Sequence, residues 1–471
     1  MSNKSKVIKA GLGYTLGNYL LRGITFITLP IFARLMSTED YGVYNTFFAY
    51  EAIVAILVGL ALHSSLKNGK YKFVNAFNEY VSSIILLVLL NFVIWIIICN
   101  IFFPIVFYIF DLSRGYFNLL LVYSLCSAMI MLYNTYVGLD YKYQSFLKVS
   151  AFNMIGNISF SILLILTIFN ESRGYGRIIG STIPVVMIGI FLFAYFFRKQ
   201  KPRIKREYWR FGLTYSLPII PHGISQMILL QFDRIMIKKM IGYSEAGIYG
   251  FSYSIYSIVS ITGSSLDSVL GPWFYEKMHN AQYDSIKKRG GMFAKGMMLF
   301  STMMILVAPE MIWFLGGEKF KDGVYTAIPL IVGGYFSFLY LLPSYIEYYH
   351  EKTRFIAVGT AFAAGLNIVL NLYFISKYGY IAAAYTTLVT YICYFIFHYY
   401  LAYKIEGRML YSTKQIFLYA ITMLIGLFIA LLLVDNIIVR WLIFIFVFIY
   451  SYRWADNEIN IKSAIKRKLS K

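Results

Sequence analysis

Arg22, Arg234 and Lys295 are basic side chains inside otherwise apolar runs of this sequence. In hydrocarbon each costs about 2.5–3.5 kcal/mol or more unless water or an opposite charge meets it. Arg22 lies near the middle of the run from Ala10 to Phe32. Thr15, Asn18, Arg22 and Thr25 follow at spacings of three, four and three, which is one face of a helix. That face reads as the wall of a wet cavity on which Arg22 grips an anionic group through paired hydrogen bonds. The competing reading is a buried pair with Glu51 in the next run.

Polar stripes recur farther along. Tyr249, Tyr253, Tyr256, Ser260, Ser264 and Asp267 share one run, Ser337, Tyr340, Ser344 and Glu347 another, and Asn153, Asn157 and Ser161 a third. Flat rings with hydroxyls suit sugars. Packing of helices through small and aromatic residues is the alternative. Several stripes in one bundle imply a shared wet cavity, since lipid does not tolerate them. Another run carries Pro218 and Pro221, then His222, Gln226 and Asp233. The prolines should break that helix where it bends around a site. His222, Asp233 and Glu347 are candidates for a proton relay or coupling ion, against ordinary hydrogen-bonded roles. Lys295 either draws phosphate to the cytoplasmic mouth or snorkels to headgroups. Pro272-Trp273-Phe274-Tyr275 with Lys287-Lys288-Arg289 reads as an interfacial element.

The elements that must position these residues are membrane helices. Of 471 residues, 59% are hydrophobic and only 14% charged, far from a soluble domain. Apolar runs give about 14 spans near 11–35, 42–63, 80–103, 116–138, 147–169, 178–197, 211–237, 246–270, 291–315, 325–346, 355–376, 381–402, 415–434 and 437–452. With the N-terminus cytoplasmic, alternate loops hold about 30 of the 43 basic residues. The positive-inside rule then places both termini in the cytoplasm. This distribution explains the net charge of +21 and excludes nucleic acid as a partner.

A repeat supports two parallel lobes. Arg34-Leu-Met-Ser-Thr-Glu-Asp40-Tyr-Gly42-Val-Tyr44 is echoed about 205 residues later by Lys239-Met-Ile-Gly-Tyr-Ser-Glu245-Ala-Gly247-Ile-Tyr249. The expected organisation is an N-lobe of six helices over 1–197, a basic cytoplasmic linker at 198–210 and a C-lobe of six over 211–404. An extra helix pair at 405–452 and a basic cytoplasmic tail at 453–471 follow. Parallel repeats place substrate sites near the midplane.

Catalytic signatures are missing. GxxxxGK[ST] and HExxH do not occur, and His350-Glu351 stands alone. Cys99, Cys126 and Cys393 lie far apart in apolar segments, without metal or disulfide spacing. Glu39-Asp40 could imitate an acidic metal pair in a membrane polymerase or glycosyltransferase, but its repeat partner is Ser244-Glu245. The reading is therefore not an enzyme, with no metal and no cofactor.

The sequence resembles the Wzx-like polysaccharide flippases of the multidrug/oligosaccharidyl-lipid/polysaccharide exporter superfamily. The likeness rests on Leu29-Pro30-Ile-Phe32-Ala-Arg34 with Glu39-Asp40-Tyr-Gly42, on Gln231-Phe-Asp233-Arg234 with Gly247-Ile-Tyr249, and on Lys377-Tyr-Gly379-Tyr-Ile-Ala-Ala-Ala-Tyr-Thr386. It implies an all-α, MATE-like V-shaped bundle in the bacterial inner membrane. It also implies undecaprenyl-pyrophosphate-linked oligosaccharide as cargo, flipped for O-antigen, capsular or exopolysaccharide synthesis. Polymerase and chain-length machinery are possible partners, and H+, Na+ or the membrane potential possible drivers. A multidrug exporter, or an exporter of another lipid precursor such as that of peptidoglycan, is the rival on the same fold.

Overall fold

The computed structural model describes residues 26–459 together with Gly13, Gly17, Gly23 and Ile24. The described chain is helical, linked by short turns and 3-10 segments. Eleven described helical stretches are long and apolar enough to cross a membrane. The chain is a multi-pass membrane protein. Helices suit this setting because they satisfy every backbone polar group internally.

The chain forms two compact units, residues 1–247 and 248–471. In the first unit a short apolar helix, α1 (Phe26–Leu35), precedes α2 (Thr38–Gly59). Next come α3 (Leu66–Lys72), α4 (Phe77–Ile101), α5 (Phe103–Phe110), α6 (Arg114–Gly138), α7 (Tyr143–Thr167) and α8 (Arg173–Lys199). Helices α9 (Arg206–Ser216) and α10 (Ile220–Met240) complete it, with the first turn of α11 (Tyr243–His279). The third expected span ends at Phe102, and Pro104 sits in the first turn of the separate α5, where its missing N–H costs nothing. The seventh is interrupted as the prolines require, by a 3-10 turn over Leu217–Ile219. Its helical part begins at Arg206, so the end of the basic 198–210 segment is helix.

The second unit takes in the rest of α11, then α12 (Tyr283–Gly316), α13 (Val324–Leu339), α14 (Leu341–Tyr349), α15 (Thr353–Tyr378) and α16 (Ile381–Glu406). The last pair is α17 (Thr413–Leu432) and α18 (Ile437–Ile459). Here the structure extends one sequence reading and corrects another. The stretch read as interfacial is continuous with the span before it: α11 runs unbroken through Pro272 to His279, and α12 takes over at Tyr283. The tenth span is two helices that meet at Tyr340, because Pro343 in the first turn of α14 cannot continue the hydrogen-bond ladder.

Candidate functional site

The repeated motif is best understood from its own packing in the first unit. Ser37 caps α2: its hydroxyl accepts the Asp40 N–H at 3.0 Å, while Asp40 accepts the Ser37 N–H at 3.0 Å and its hydroxyl at 2.7 Å. This is a capping box. The other Asp40 oxygen accepts the Gly174 N–H at 2.8 Å, and Arg173 donates to the Leu35 carbonyl at 2.6 Å. Asp40 thus locks the α2 and α8 starts together, so its acidity serves structure rather than a metal.

The second copy crosses the first at close range. A Cβ on Gly42 would lie 1.8 Å from the Tyr243 carbonyl oxygen, and one on Gly247 1.8 Å from the Thr38 carbonyl oxygen. Thr38 and Ser244 join hydroxyls at 2.8 Å. Only glycine permits such an approach, the usual device of tightly crossed membrane helices. Gly42 and Gly247 are equivalent in the repeat, and so are Thr38 and Tyr243, so the contact is reciprocal.

Sequence reasoning missed the most unusual cation of this unit. Arg177, in the first turns of α8, is 8% exposed. Its guanidinium carbon lies 4.0 Å from the Phe32 ring centroid, 3.9 Å from that of Tyr44 and 5.0 Å from that of Tyr41. Cation–π attraction is strongest when desolvated, as here. Phe32 and Tyr41 belong to the motif that carries the family resemblance, and Tyr44 ends the first copy of the repeat. Arg177 escaped notice because it stands at the edge of its apolar run, where an arginine reads as a loop residue. Lys238 was also overlooked: it is 7% exposed and pairs with Asp111 at 2.5 Å.

The predicted residues of this unit are distributed as follows. Arg22 and Asn18, with Thr15 and Thr25, lie outside the described residues, so the Arg22–Glu51 pair has no structural reading. Glu51 lies beside Ser127, and its Oε1 is buried with no hydrogen-bond partner among the described residues. Ser127, Asn134, Thr135 and Lys67 line a cavity of about 550 Å³ along α6. His222 is partly buried near the start of α10, its Nδ1 enclosed. Asp233 and Arg234 are 3% and 8% exposed, and Arg234 donates to Gln231.

In the second unit the tyrosines come together as a file. Tyr253 and Tyr256 have ring centroids 4.6 Å apart, and Tyr256 is hydrogen-bonded with Tyr391. Tyr340 packs on Tyr394 at 4.5 Å, and Tyr394 shares a hydrogen bond with Thr360 at 2.9 Å. Asp267 accepts the Tyr345 hydroxyl at 2.6 Å. Tyr345, Tyr391 and Tyr394 were missed because their partners are remote in sequence. The serines do not join this file uniformly. Ser260 is exposed, Ser337 is partly buried, and Ser344 is 1% exposed and donates to the Leu341 carbonyl of its own helix at 2.8 Å.

Glu347 meets His398, which sequence reasoning did not single out. The carboxylate Oε1 and imidazole Nδ1 are 2.6 Å apart and both side chains are fully buried. Glu347 Oε2 and His398 Nε2 have no hydrogen-bond partner among the described residues. A Cβ on Gly359 would lie 2.7 Å from Nε2, so α15 closes one side of the imidazole. Lys295 is engaged with α18, donating to the Tyr450 hydroxyl at 2.7 Å beside the Trp454 ring. Glu310 accepts from Arg440 at 2.6 Å and Trp441 at 3.0 Å. No group of three or more metal-ligating side chains occurs among the described residues.

Comparison with known proteins adds an independent line. The family described as "Polysaccharide biosynthesis protein" matches residues 7–278. "Lsg locus putative protein 1" of Haemophilus influenzae is 21% identical over 371 residues, covering 75% of this chain and 87% of that protein. Among solved structures, the inward closed conformation of the lipid II flippase MurJ aligns with a TM-score of 0.71 at 15% identity, over 95% of this chain and 99% of that one. An inward-facing multidrug resistance MATE transporter of the MOP superfamily aligns at 0.55 and 16% identity, over 81% and 95%. The fold is therefore the MurJ/MATE fold.

Proposed function

The chain belongs to the polysaccharide biosynthesis protein family, and from that membership we propose that it is a flippase for a lipid-linked oligosaccharide. It carries undecaprenyl-pyrophosphate-linked repeat units from the cytoplasmic to the outer leaflet of a bacterial inner membrane, feeding O-antigen, capsular or exopolysaccharide synthesis. The observation that carries this reading is the family match over more than half the chain. The fold it shares with a lipid II flippase and multidrug transporters supports it.

Chemically, the cargo asks for cations at the pyrophosphate and for flat hydroxyl-bearing walls at the glycan. Arg22, with Asn18 on the same helical face, supplies the first. The file of Tyr253, Tyr256 and Tyr340, with Asp267 as an acceptor for sugar hydroxyls, supplies the second. The polyprenyl tail stays in lipid throughout. Alternating access requires only that the two end states bind cargo differently. Coupling to H+, Na+ or the membrane potential draws on His222, Asp233 and Glu347.

The test is complementation of a strain lacking its own flippase, with surface glycan and membrane protein level measured together. Wild type restores glycan. Arg22→Ala and Asp267→Asn reach normal levels but restore little, and lipid-linked repeat units accumulate inside. Failure of wild type with every repeat unit tried would sink the cargo assignment. Wild-type behaviour of both variants would remove these residues from the cargo path.

A further inference from the structure

One cavity of the second unit is lined by residues other than those of the tyrosine file. It encloses about 750 Å³ where the C-terminal end of α16 and the start of α17 meet the first turns of α12. Two cations mark its rim, Lys287 of α12 and Arg408 of the α16–α17 turn. Gly407 ends α16 in the left-handed region at φ 75°, which turns the chain and brings Arg408 back over α12. There its guanidinium carbon rests 4.1 Å from the Tyr283 ring centroid. Glu406 lies 3.7 Å from Arg408 Nε and is shared with His350 at 2.7 Å. Tyr411 anchors the turn: it is 3% exposed and its ring lies so close to Gly290 that a Cβ there would come within 2.3 Å.

Polar and apolar walls are segregated. Beside the cations stand Ser412 and Thr413, and Tyr399 donates to the Thr413 hydroxyl at 2.7 Å. The other walls are Ile396, Tyr400, Tyr403 and Phe417, 49%, 60%, 53% and 36% exposed. All four lie on helices apolar enough to span the membrane, so this side of the pocket opens towards acyl chains. The positive-inside rule puts the 405–412 turn in the cytoplasm. Paired cations over a pocket with an open apolar flank, at cytoplasmic headgroup depth, match a phosphate ester that arrives on a hydrocarbon chain. A free anion would gain nothing from the apolar flank.

We propose that this pocket, lined by Lys287, Arg408, Ser412 and Thr413 above Ile396 and Phe417, is a binding site for the phosphate headgroup of an anionic phospholipid of the cytoplasmic leaflet. Lys287 and Arg408 contact the phosphate, Ser412 and Thr413 offer hydroxyl donors, and the acyl chains lie along α16 and α17. The site is independent of the cargo reading: it would hold whatever the protein transports.

The full-length protein, purified and delipidated in detergent, tests this by native mass spectrometry. It is titrated with phosphatidylglycerol, with phosphatidylcholine and with inorganic phosphate, and thermal melting is followed in parallel. Each surface cation contributes about fivefold to anionic-lipid affinity. Wild type should therefore retain phosphatidylglycerol over phosphatidylcholine, and Lys287→Gln with Arg408→Gln should weaken retention on the order of thirtyfold. A control pair, Lys319→Gln with Lys321→Gln, should leave it unchanged. The melting gain from phosphatidylglycerol should shrink as salt is raised. Equal retention of the two lipids by wild type, or unchanged retention by the double variant, would overturn the proposal. A melting gain fully reproduced by inorganic phosphate would overturn its lipid part. If the double variant does not survive purification, each single Gln variant should show about a fivefold loss, and the absence of any loss refutes the site.

Discussion

A methyl group added at Gly42 would meet the Tyr243 carbonyl oxygen at 1.8 Å, and one at Gly247 the Thr38 carbonyl oxygen at the same distance. Ordinary contact distances are about 3.4 Å or more, so relief demands on the order of 1.5 Å of backbone separation. Because the obstacle is backbone on both sides, no rotamer change removes it. Overpacking of this kind typically costs about 1–3 kcal/mol. Gly42→Ala and Gly247→Ala should each lower the melting temperature by several degrees, followed by fluorescence-detected size exclusion in detergent. The reciprocal geometry sharpens the expectation. One separation of the two segments accommodates both methyls, so the double variant should cost clearly less than the two singles together. Strict additivity, or neutrality of either single substitution, would refute the close crossing as the reason for glycine in this repeated motif.

Three further outcomes follow from individual side chains. Glu347→Leu or His398→Leu alone should destabilise by about 1–3 kcal/mol, because the partner is left buried with its hydrogen bond unmet, whereas an apolar pair replacing both should cost much less. A double-mutant cycle on melting temperature checks this. Arg177→Ala should cost about 2 kcal/mol, with Arg177→Lys recovering only part, since the planar guanidinium between Phe32 and Tyr44 is lost in both. Lys70 of α3 at 2.7 Å and Lys142 at 3.1 Å hold the carboxyl of Asp140, in the loop between α6 and α7, below its usual range. A depressed folded-state pKa stabilises above the unfolded value, about 3.9, and that contribution fades as pH falls through the folded one. Asp140→Asn should therefore lower stability at neutral pH by less than about 1 kcal/mol, the pair being partly exposed, and the difference should vanish in strong acid and in high salt.

Much of the fold was legible because hydrocarbon imposes a simple rule: a helix that crosses it must be long and apolar. The runs around α4, α6, α8 and α15 announced themselves that way. The α13–α14 break was hidden because apolar residues continue through Leu341 and Leu342, masking the effect of Pro343. The Gly-aliphatic-Tyr repeat was visible in the sequence, but its physical reason, two backbones in contact, needed three dimensions. Among functional candidates, the sequence flagged residues by polarity within a run, which found Tyr253, Tyr256, Asp267 and Glu347. Polarity cannot reveal partners: His398 lies 51 residues from Glu347, and Tyr345 lies 78 from Asp267. The same criterion passed over Arg177, whose surroundings are aromatic rings rather than charges.

The central claim is that this protein moves a lipid-linked oligosaccharide across a bilayer, and reconstitution tests it most directly. Purified protein in sealed liposomes is supplied with undecaprenyl-pyrophosphate oligosaccharide bearing a labelled sugar, and the label's exposure to a membrane-impermeant reagent is followed in time. The account predicts protein-dependent exchange of the label between leaflets, slowed severely by Arg22→Ala. Folded protein that moves no such lipid, while transporting a cationic drug in the same vesicles, would contradict it.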